Sequence, residues 1–300
     1  MKKTIVISII IFWLVMMGLL MSREILPGIR RALLADDLGA GYRSILEETR
    51  WEVTRRYGIY YDEERLGDTV TIIRPREGSW TIANNISLDR SLPASLLGPF
   101  GGEGIARAIG GMRAHTRVLV DDEFRLVSLT GWVRRYPSMD TLASIDGRAV
   151  GNTLVVTLTD PAEQTYTREI PLDAENILAG GPGGLMNFPE PYIGRRWRAR
   201  VLHPLTMQVE TSHSEVVALE TITLEGEETE AYRVETDWAG MKMISYINRM
   251  GELLIQETPV GIRLVRERLL EEDMEGLEMP DFDEGEITIP SEEVEADNDD

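Results

Sequence analysis

Cysteine is absent from this sequence of 300 residues, and histidine occurs only three times. The absence of cysteine excludes disulfide bonds, thiolate metal sites and a thiol nucleophile. No two of His115, His203 and His213 have the spacing that places two metal ligands on one face of a strand or helix. We therefore predict no metal site and no cofactor, and we interpret the histidines as structural or surface residues.

Basic residues are missing from the C-terminal stretch, where residues 271–300 carry 15 acidic side chains and no basic one. Like charges at this density repel one another and bury little apolar surface, so the sequence predicts a disordered acidic tail. Residues 22–270 carry 29 basic and 36 acidic side chains, which is no basic excess. Nucleic acid is therefore not an expected partner, because phosphate neutralisation requires a basic patch.

Motifs for phosphate binding and acyl transfer are also missing. Residues 92–112 contain six glycines but lack the Lys-Ser/Thr pair of a phosphate-binding loop. This stretch is typical of a flexible excursion, with a short helix near residues 105–108. None of Ser91, Ser95 and Ser138 lies in a G-x-S-x-G elbow. The sequence thus predicts a protein that is not an enzyme.

A long uncharged run is present at the N-terminus, where residues 4–21 read TIVISIIIFWLVMMGLLM. A helix of this length is close to the ~30 Å of hydrocarbon that a transmembrane helix must cross. A cleaved secretory signal is the alternative, but no A-x-A-like cleavage site follows the run. Lys2 and Lys3 precede the run and Arg23, Arg30 and Arg31 follow it, so the positive charges are nearly balanced. From the three-residue N-terminal tail and the exported character of the domain, we expect a single-pass signal-anchor in the cytoplasmic (inner) membrane, with the rest of the chain facing the periplasm or exterior.

Apolar residues recur at helical spacing between this span and the first strand, at Ile29, Leu33 and Leu34 and again over residues 42–46. The pattern predicts a short juxtamembrane helix. We interpret residues 23–50 as a solvated connector, and a lipid-recognition segment is the alternative.

Alternating polar and apolar residues dominate the chain from residue 51 to residue 270. The run TEAYRVETDW places Tyr232, Val234, Thr236 and Trp238 on one face and the intervening charged residues on the other. Glycines at positions 226, 240, 251 and 261 separate five such runs, and the Asp146–Gly147 and Gly151–Asn152 pairs are the sharpest earlier turn signals.

The predicted fold is therefore mostly β: a large bent antiparallel sheet or open barrel meander of roughly a dozen strands. The predicted organisation is a transmembrane signal-anchor over residues 1–22, a helical connector over 23–50, a β-rich domain over 51–270 and the acidic tail over 271–300.

Two sets of strand motifs carry a family resemblance. The runs EAYRVETDWAG and MISYINRMGELLIQETPVGIRLVRE resemble the closing strands of a β-rich exported domain that precedes transglutaminase-like domains in some bacterial proteins. Its opening motif, an aromatic strand and then a Leu-Gly turn, is matched by Trp51–Val53, Tyr57–Tyr61 and Leu66–Gly67. No transglutaminase-like domain follows residue 270, and without cysteine no catalytic residue can be carried over. The sequence is more distantly similar to bent-sheet periplasmic lipid carriers.

Aromatic and apolar residues near the strands are the candidate ligand-binding residues. A concave sheet lined by them would offer an apolar hollow, and an ordinary hydrophobic core is the alternative. Residues 177–192 form an irregular glycine- and proline-rich segment that is either a plug at one end of the sheet or a flap over a cavity. The candidates are Trp51, Trp80, Met186, Phe188, Trp197 and Trp238.

The expected function is that of a membrane-anchored, non-enzymatic extracytoplasmic β domain that binds an apolar ligand or a protein partner. The alternative is an accessory or degenerate relative of an exported hydrolase, in a transglutaminase- or protease-like system. The two hypotheses differ structurally, because an enzyme requires convergent titratable groups in a cleft whereas a carrier requires a dry cavity.

Overall fold

The computed structural model describes residues 42–47, 49–90, 111–172, 177–179, 188–202, 208–238 and 240–268. The predicted membrane span over residues 4–21, the start of the connector, the excursion predicted over residues 92–112 up to residue 110, and the acidic tail lie outside these residues. Within the ranges described, no helix is long and apolar enough to cross a membrane. The sheet belongs to the compact unit Met1–Glu267.

The described residues form one short helix, α1 (Tyr42–Leu46), and fifteen strands. The first eight strands are β1 (Val53–Tyr61), β2 (Glu64–Arg76), β3 (Ser79–Leu88), β4 (Gly111–Asp121), β5 (Leu126–Tyr136), β6 (Thr141–Val150), β7 (Thr153–Thr159) and β8 (Thr165–Pro171). The remaining seven are β9 (Ile177–Ala179), β10 (Arg196–Leu202), β11 (Val209–Leu224), β12 (Glu227–Trp238), β13 (Met241–Ile247), β14 (Leu253–Glu257) and β15 (Ile262–Glu267).

All fifteen strands belong to one sheet, built from two meanders. Strands β1 to β8 pair in sequence order, strands β9 to β15 do the same, and the pairing of β1 with β15 joins the two halves. Every pairing is antiparallel except that of β9 with β10. The prediction of a large antiparallel meander is confirmed, and the sheet stays open because its edge strands, β8 and β9, do not pair with each other.

Chain connectivity forces this sheet to curl. The two edge strands are consecutive in sequence, and only residues 172–176 separate them. Fifteen strands laid flat at ~4.8 Å spacing would put the edges about 65 Å apart, whereas the short link spans at most about 22 Å. The sheet must therefore bend until its edges approach each other, which gives it an inner and an outer face.

The inner face is filled by the main hydrophobic core. Buried side chains from both meanders belong to one cluster, for example Leu129 and Leu154 from the first and Val201, Val216 and Val234 from the second. At ~25 cal/mol per Å² of apolar surface removed from water, such burial is the main stabilising contribution to the curled form. The two halves of the sheet thus pack against each other rather than around an empty space.

A charged cluster on the outer face fastens β1 and β2 to β15. The guanidinium of Arg65 donates two hydrogen bonds to the Glu267 carboxylate, at 2.9 and 3.1 Å, and the Tyr60 hydroxyl donates a third at 2.9 Å. Burial alone would raise the pKa of Glu267, but hydrogen bonds from Arg65 and Tyr60 bring this pKa below its ordinary value. Glycine at position 58 makes room, because a Cβ there would lie 2.1 Å from Glu267 Oε1.

A second polar cluster links the same strands at the turn before β14. Glu252 accepts hydrogen bonds from Arg55 of β1 and Arg266 of β15, both at 3.0 Å, and from Asn248 at 2.7 Å. Burial acts to raise the pKa of Glu252, but hydrogen bonds from Arg266 and Asn248 lower it overall. Nearby, burial raises the pKa of Tyr57 to about 12, and its hydroxyl donates to a backbone carbonyl in β14.

The helix α1, the helical part of the predicted connector that the structure describes, packs in the core rather than being solvated. Tyr42 and Leu46 are buried in the main core, and the guanidinium of Arg43 lies 5.2 Å from the ring centre of Phe124. Phe124 in turn stacks on Trp80, with ring centres 4.7 Å apart. This single turn of helix therefore packs against the sheet, because its two apolar side chains are one helical turn apart and share a face.

Two glycine pairs predicted as turns lie inside strands instead. Leu66–Gly67 lies within β2, after a turn formed by Asp62 and Glu63, and Asp146–Gly147 lies within β6. A Cβ at position 67 would come within 1.9 Å of a backbone oxygen of β3, so this glycine permits close approach of two strands. The other predicted turn, at Gly151–Asn152, is confirmed.

We predict that Gly67→Ala lowers the free energy of unfolding by about 1–3 kcal/mol, because backbone rather than a flexible side chain must move. Gly147→Ala is the matched control, since a Cβ there meets its nearest atoms at 3.5 Å, an ordinary contact distance. Urea unfolding of the two variants should show a large effect at position 67 and a change within about 0.5 kcal/mol at position 147. Equal effects would contradict the close strand approach.

Candidate binding groove

Strands β10 to β13 form a groove of about 650 Å³ on the protein surface. Along β12, Arg233, Glu235 and Asp237 line the groove, while Val234 and Trp238 are buried in the core. This alternation confirms the two faces predicted from the sequence of that strand. The full lining comprises Arg196, Trp197, His213, Ser214, Glu215, Val217, Arg233, Glu235, Thr236, Asp237, Lys242, Met243 and Ile244.

Two arginines, Arg196 and Arg233, form ion pairs in or beside the groove. Arg196 of β10 lies opposite Glu215 of β11, and Arg196 Nη2 is 2.8 Å from Glu215 Oε1. Arg233 Nη2 is 2.9 Å from Glu235 Oε1 two residues along β12, and Arg233 Nη1 is 3.6 Å from Glu220 Oε1 across the strands. The Arg196–Glu215 pair is shielded in part, because each side chain is only 23% exposed, whereas Glu235 is 45% exposed and its pair with Arg233 is a surface ion pair. The first pair therefore holds its two side chains more firmly than the second.

A second row of titratable side chains lies two residues away along β11, β12 and β13. His213 faces Asp237 across β11 and β12, and Asp237 faces Lys242 across β12 and β13. Among the described residues, neither Asp237 nor Lys242 lies in an ion pair of under 4.0 Å. These side chains are therefore available to a ligand of either sign.

Polar groups also hold the strands together beneath the groove. The hydroxyls of Ser214 and Thr236, both buried, lie 2.9 Å apart on facing positions of β11 and β12. Trp197 is buried in the same row, opposite Ser214. A buried hydrogen bond of this kind stabilises by about 1 kcal/mol and fixes the register of the two strands. The groove therefore has a rigid base.

The groove combines charged side chains of both signs with apolar ones. Glu215 and Glu235 face each other across β11 and β12, and Val217, Met243 and Ile244 also line the groove. A peptide with both charged and apolar side chains would match this arrangement. An acyl chain would instead leave several charged groups without water, which is costly. Within the described residues no group of three histidine, aspartate or glutamate side chains could hold a metal ion.

The aromatic candidates on the inner face do not line the predicted apolar hollow. Trp197 and Trp238 are buried in the main core, as is Phe188, whose ring meets that of Trp197 edge-on with centres 5.9 Å apart. These three side chains are core residues, in line with the alternative interpretation of an ordinary core. Trp197 also borders the groove.

Phe188, at the described end of the irregular segment, is buried and held against the turn before β14, as a plug requires. Its N–H donates to the carbonyl of Gly251 at 2.7 Å, in the turn between β13 and β14. Gly251 has φ of 77°, and a Cβ there would lie 2.0 Å from the Phe188 oxygen, so only glycine permits this contact. The segment is also less irregular than predicted, because residues 177–179 form β9.

The remaining candidates do not come together with the groove. Trp51 precedes β1 and its side chain is 81% exposed, so it does not line a hollow. Trp80 packs on Phe124 at the end of the sheet next to α1. Met186 lies outside the described residues.

The two described histidines have different environments. His115 is buried on β4, where its Nδ1 lies 2.7 Å from Asn85 Oδ1 and its ring stacks on Trp132. Burial and the neighbouring Arg117 charge lower the pKa of His115, so the ring is neutral near pH 7. It is a structural histidine, as predicted. His213 lines the groove, and His203 lies outside the described residues.

Sequence reasoning missed the groove itself. Its charged residues come from four strands, and only the strand register brings Arg196, Glu215, Glu235 and Ile244 into one row. The available signal was the charged face of TEAYRVETDW, which the sequence already separated from the buried face. Solvated charge is the ordinary interpretation of such a face, so no feature of the sequence predicts a concavity there.

Comparison with known proteins gives distant structural neighbours only. No protein-family model and no curated protein matches the chain. A β-barrel-like protein of domain of unknown function DUF1849 from Brucella abortus is 9% identical, with a TM-score of 0.45, over 72% of this chain and 95% of its own. A DUF1089-family protein from Pseudomonas aeruginosa is 11% identical, with a TM-score of 0.31, over 62% and 87%. Similarity at this level assigns neither family nor activity.

We predict that Phe188→Ala lowers the free energy of unfolding by about 3–5 kcal/mol, as expected for truncation of a buried aromatic side chain. Tyr192→Ala in the same segment is the matched control, because Tyr192 is 53% exposed and should cost less than about 1 kcal/mol. Chemical denaturation of both variants measures the difference. Similar small effects at the two positions would show that Phe188 is not part of the core.

Proposed function

We propose that this chain is a non-catalytic binding domain that recognises a protein partner through the β10–β13 groove. We further propose that residues 4–21 anchor it in the cytoplasmic membrane, with the sheet facing the periplasm or exterior. The observation that carries the proposal is the groove of about 650 Å³, in which fixed charges of both signs surround a rigid base.

Shape and charge together favour a protein partner over an apolar ligand. A concave surface with two ordered ion pairs and the nearby Asp237 and Lys242 offers a pattern that a charged peptide segment can complement. The inner face of the sheet, where a lipid carrier would need a cavity, is occupied by core side chains such as Trp197 and Phe188. The sequence left open an apolar ligand or a protein partner, and the groove supports the protein partner.

The alternative of an exported-hydrolase relative is less well supported by the same groups. Catalysis by acid and base requires carboxylates or histidines converging on one reacting atom. In the groove, Glu215 is engaged with Arg196 and Glu235 with Arg233, which are arrangements suited to holding a surface in shape. Neither carboxylate pairs with a histidine or a nucleophilic side chain in these contacts.

Site-specific photo-crosslinking in cells tests the groove. A photoreactive phenylalanine analogue replaces Lys242, which is exposed in the groove, or Arg148, which is 79% exposed on distant β6 and serves as the control. We expect a discrete adduct with another protein from position 242 and none from position 148. Adding Glu235→Arg should lower the adduct yield about fivefold or more, which corresponds to a loss of ~1 kcal/mol or more.

Three outcomes of this experiment would contradict the proposal. The first is a lipid adduct at position 242, which would favour the apolar ligand. The second is an equal yield of adducts from positions 242 and 148. The third is an adduct yield that Glu235→Arg leaves unchanged. The same cells test the anchor, because an integral helix stays in membranes washed with alkaline carbonate. Release of the chain by that wash would overturn the membrane part of the proposal while leaving the groove result intact.

A further inference from the structure

Strand β8 is an edge strand that no described element covers. It pairs only with β7, and all of its seven residues except Ile170 are exposed. Its sequence, TYTREIP, is rich in β-branched and aromatic residues that favour extended backbone. Natural proteins shield exposed edges of this length, because their backbone groups can pair with another strand. The edge is therefore a candidate interaction surface.

The register of β7 and β8 shows which backbone groups point away from the sheet. The N–H of Leu172 donates to Asn152 at 2.8 Å, and that of Asp160 donates to Gln164 at 3.0 Å. In an antiparallel pair, residues that exchange hydrogen bonds alternate with residues that do not. Even-numbered residues of β8 therefore bond to β7, and odd-numbered residues direct their N–H and C=O groups outward.

Three residues of β8 consequently present complete backbone donor and acceptor sets at the open edge. They are Thr165, Thr167 and Glu169. Pro171 follows them in the same phase but has no N–H, so it ends the set on one side. Because proline blocks only this end, Thr165, Thr167 and Glu169 can still pair with another strand.

We propose that this edge pairs with the β8 strand of a second copy of the same chain. The two strands would run antiparallel about a two-fold axis at Thr167, which would face the partner's Thr167. Thr165 would then face the partner's Glu169, and Glu169 the partner's Thr165. Three facing pairs of this type exchange about six hydrogen bonds and use every complete outward donor and acceptor set of the strand.

Side-chain complementarity selects a second copy in this register. The axis at Thr167 places Arg168 against the partner's Tyr166, and the reciprocal pair repeats the contact. A guanidinium on a tyrosine ring is attractive, and Tyr166 is 49% exposed and open to such stacking. Moving the axis to residue 168 would instead oppose two arginines, which is unfavourable. Moving it to residue 166 would leave Glu169 opposite a turn residue with positive φ, Glu163.

Single-cysteine crosslinking of the full chain in its membranes tests this pairing, because the sequence contains no cysteine that could react. In the proposed register the two Cα atoms at position 167 lie about 5.5 Å apart, within the range of ~4.4–6.8 Å that a disulfide spans. Thr165→Cys is the matched control on the same strand and face. The two copies of that residue would lie about 14 Å apart.

We expect a membrane-permeant oxidant to convert Thr167→Cys to a disulfide-linked homodimer and to leave Thr165→Cys monomeric. Adding Tyr166→Arg to Thr167→Cys places like charges together in both symmetric pairs and should slow dimer formation about 2- to 30-fold. Tyr192→Arg, at a distant exposed position, should leave the rate unchanged. No crosslink at 167, equal crosslinks at 165 and 167, or an adduct with a different protein would overturn the proposal.

Discussion

The pairing of β1 with β15 is the contact on which the rest of the structure depends. It joins two meanders that would otherwise be separate sheets, and it does so across more than 200 residues of chain. Closing so long a loop is entropically costly, and the cost is offset by a ladder of backbone bonds together with the Glu267 and Glu252 clusters. Both carboxylates link β1 or β2 to β15, so their partly exposed ion pairs favour the pairing of these strands.

Once the two meanders are joined, the bending of the sheet decides which of its surfaces stay exposed. The short link between β8 and β9 bends the sheet, and the inner face fills with core side chains from both halves. Within the described ranges, a filled interior leaves the outer face and the open edge exposed. The groove over β10–β13 and the exposed strand β8, for which we propose partners, lie in different meanders.

Local patterns in the sequence predicted which segments form strands and which of their faces are buried, but not which strands pair with each other. Alternation along β12 and the turn glycines gave correct strands because those signals involve neighbouring residues. The glycines at positions 67 and 147 were misinterpreted as turns. Position 67 is where β2 and β3 approach too closely for a Cβ, whereas a Cβ at position 147 would make only ordinary contacts. The Arg65–Glu267 pair and the row containing Glu215 could not be predicted, because each depends on strand register between distant segments.

Amide hydrogen exchange of the full chain under native conditions tests whether the β1–β15 pairing holds the sheet together. If the pairing of β1 with β15 holds the sheet in one cooperative unit, hydrogen-bonded amides in these two strands should exchange with the same opening free energy as those in β11 and β12. That value should equal the global free energy of unfolding. Exchange of β1 and β15 at a much lower free energy, with β11 and β12 still protected, would contradict the claim.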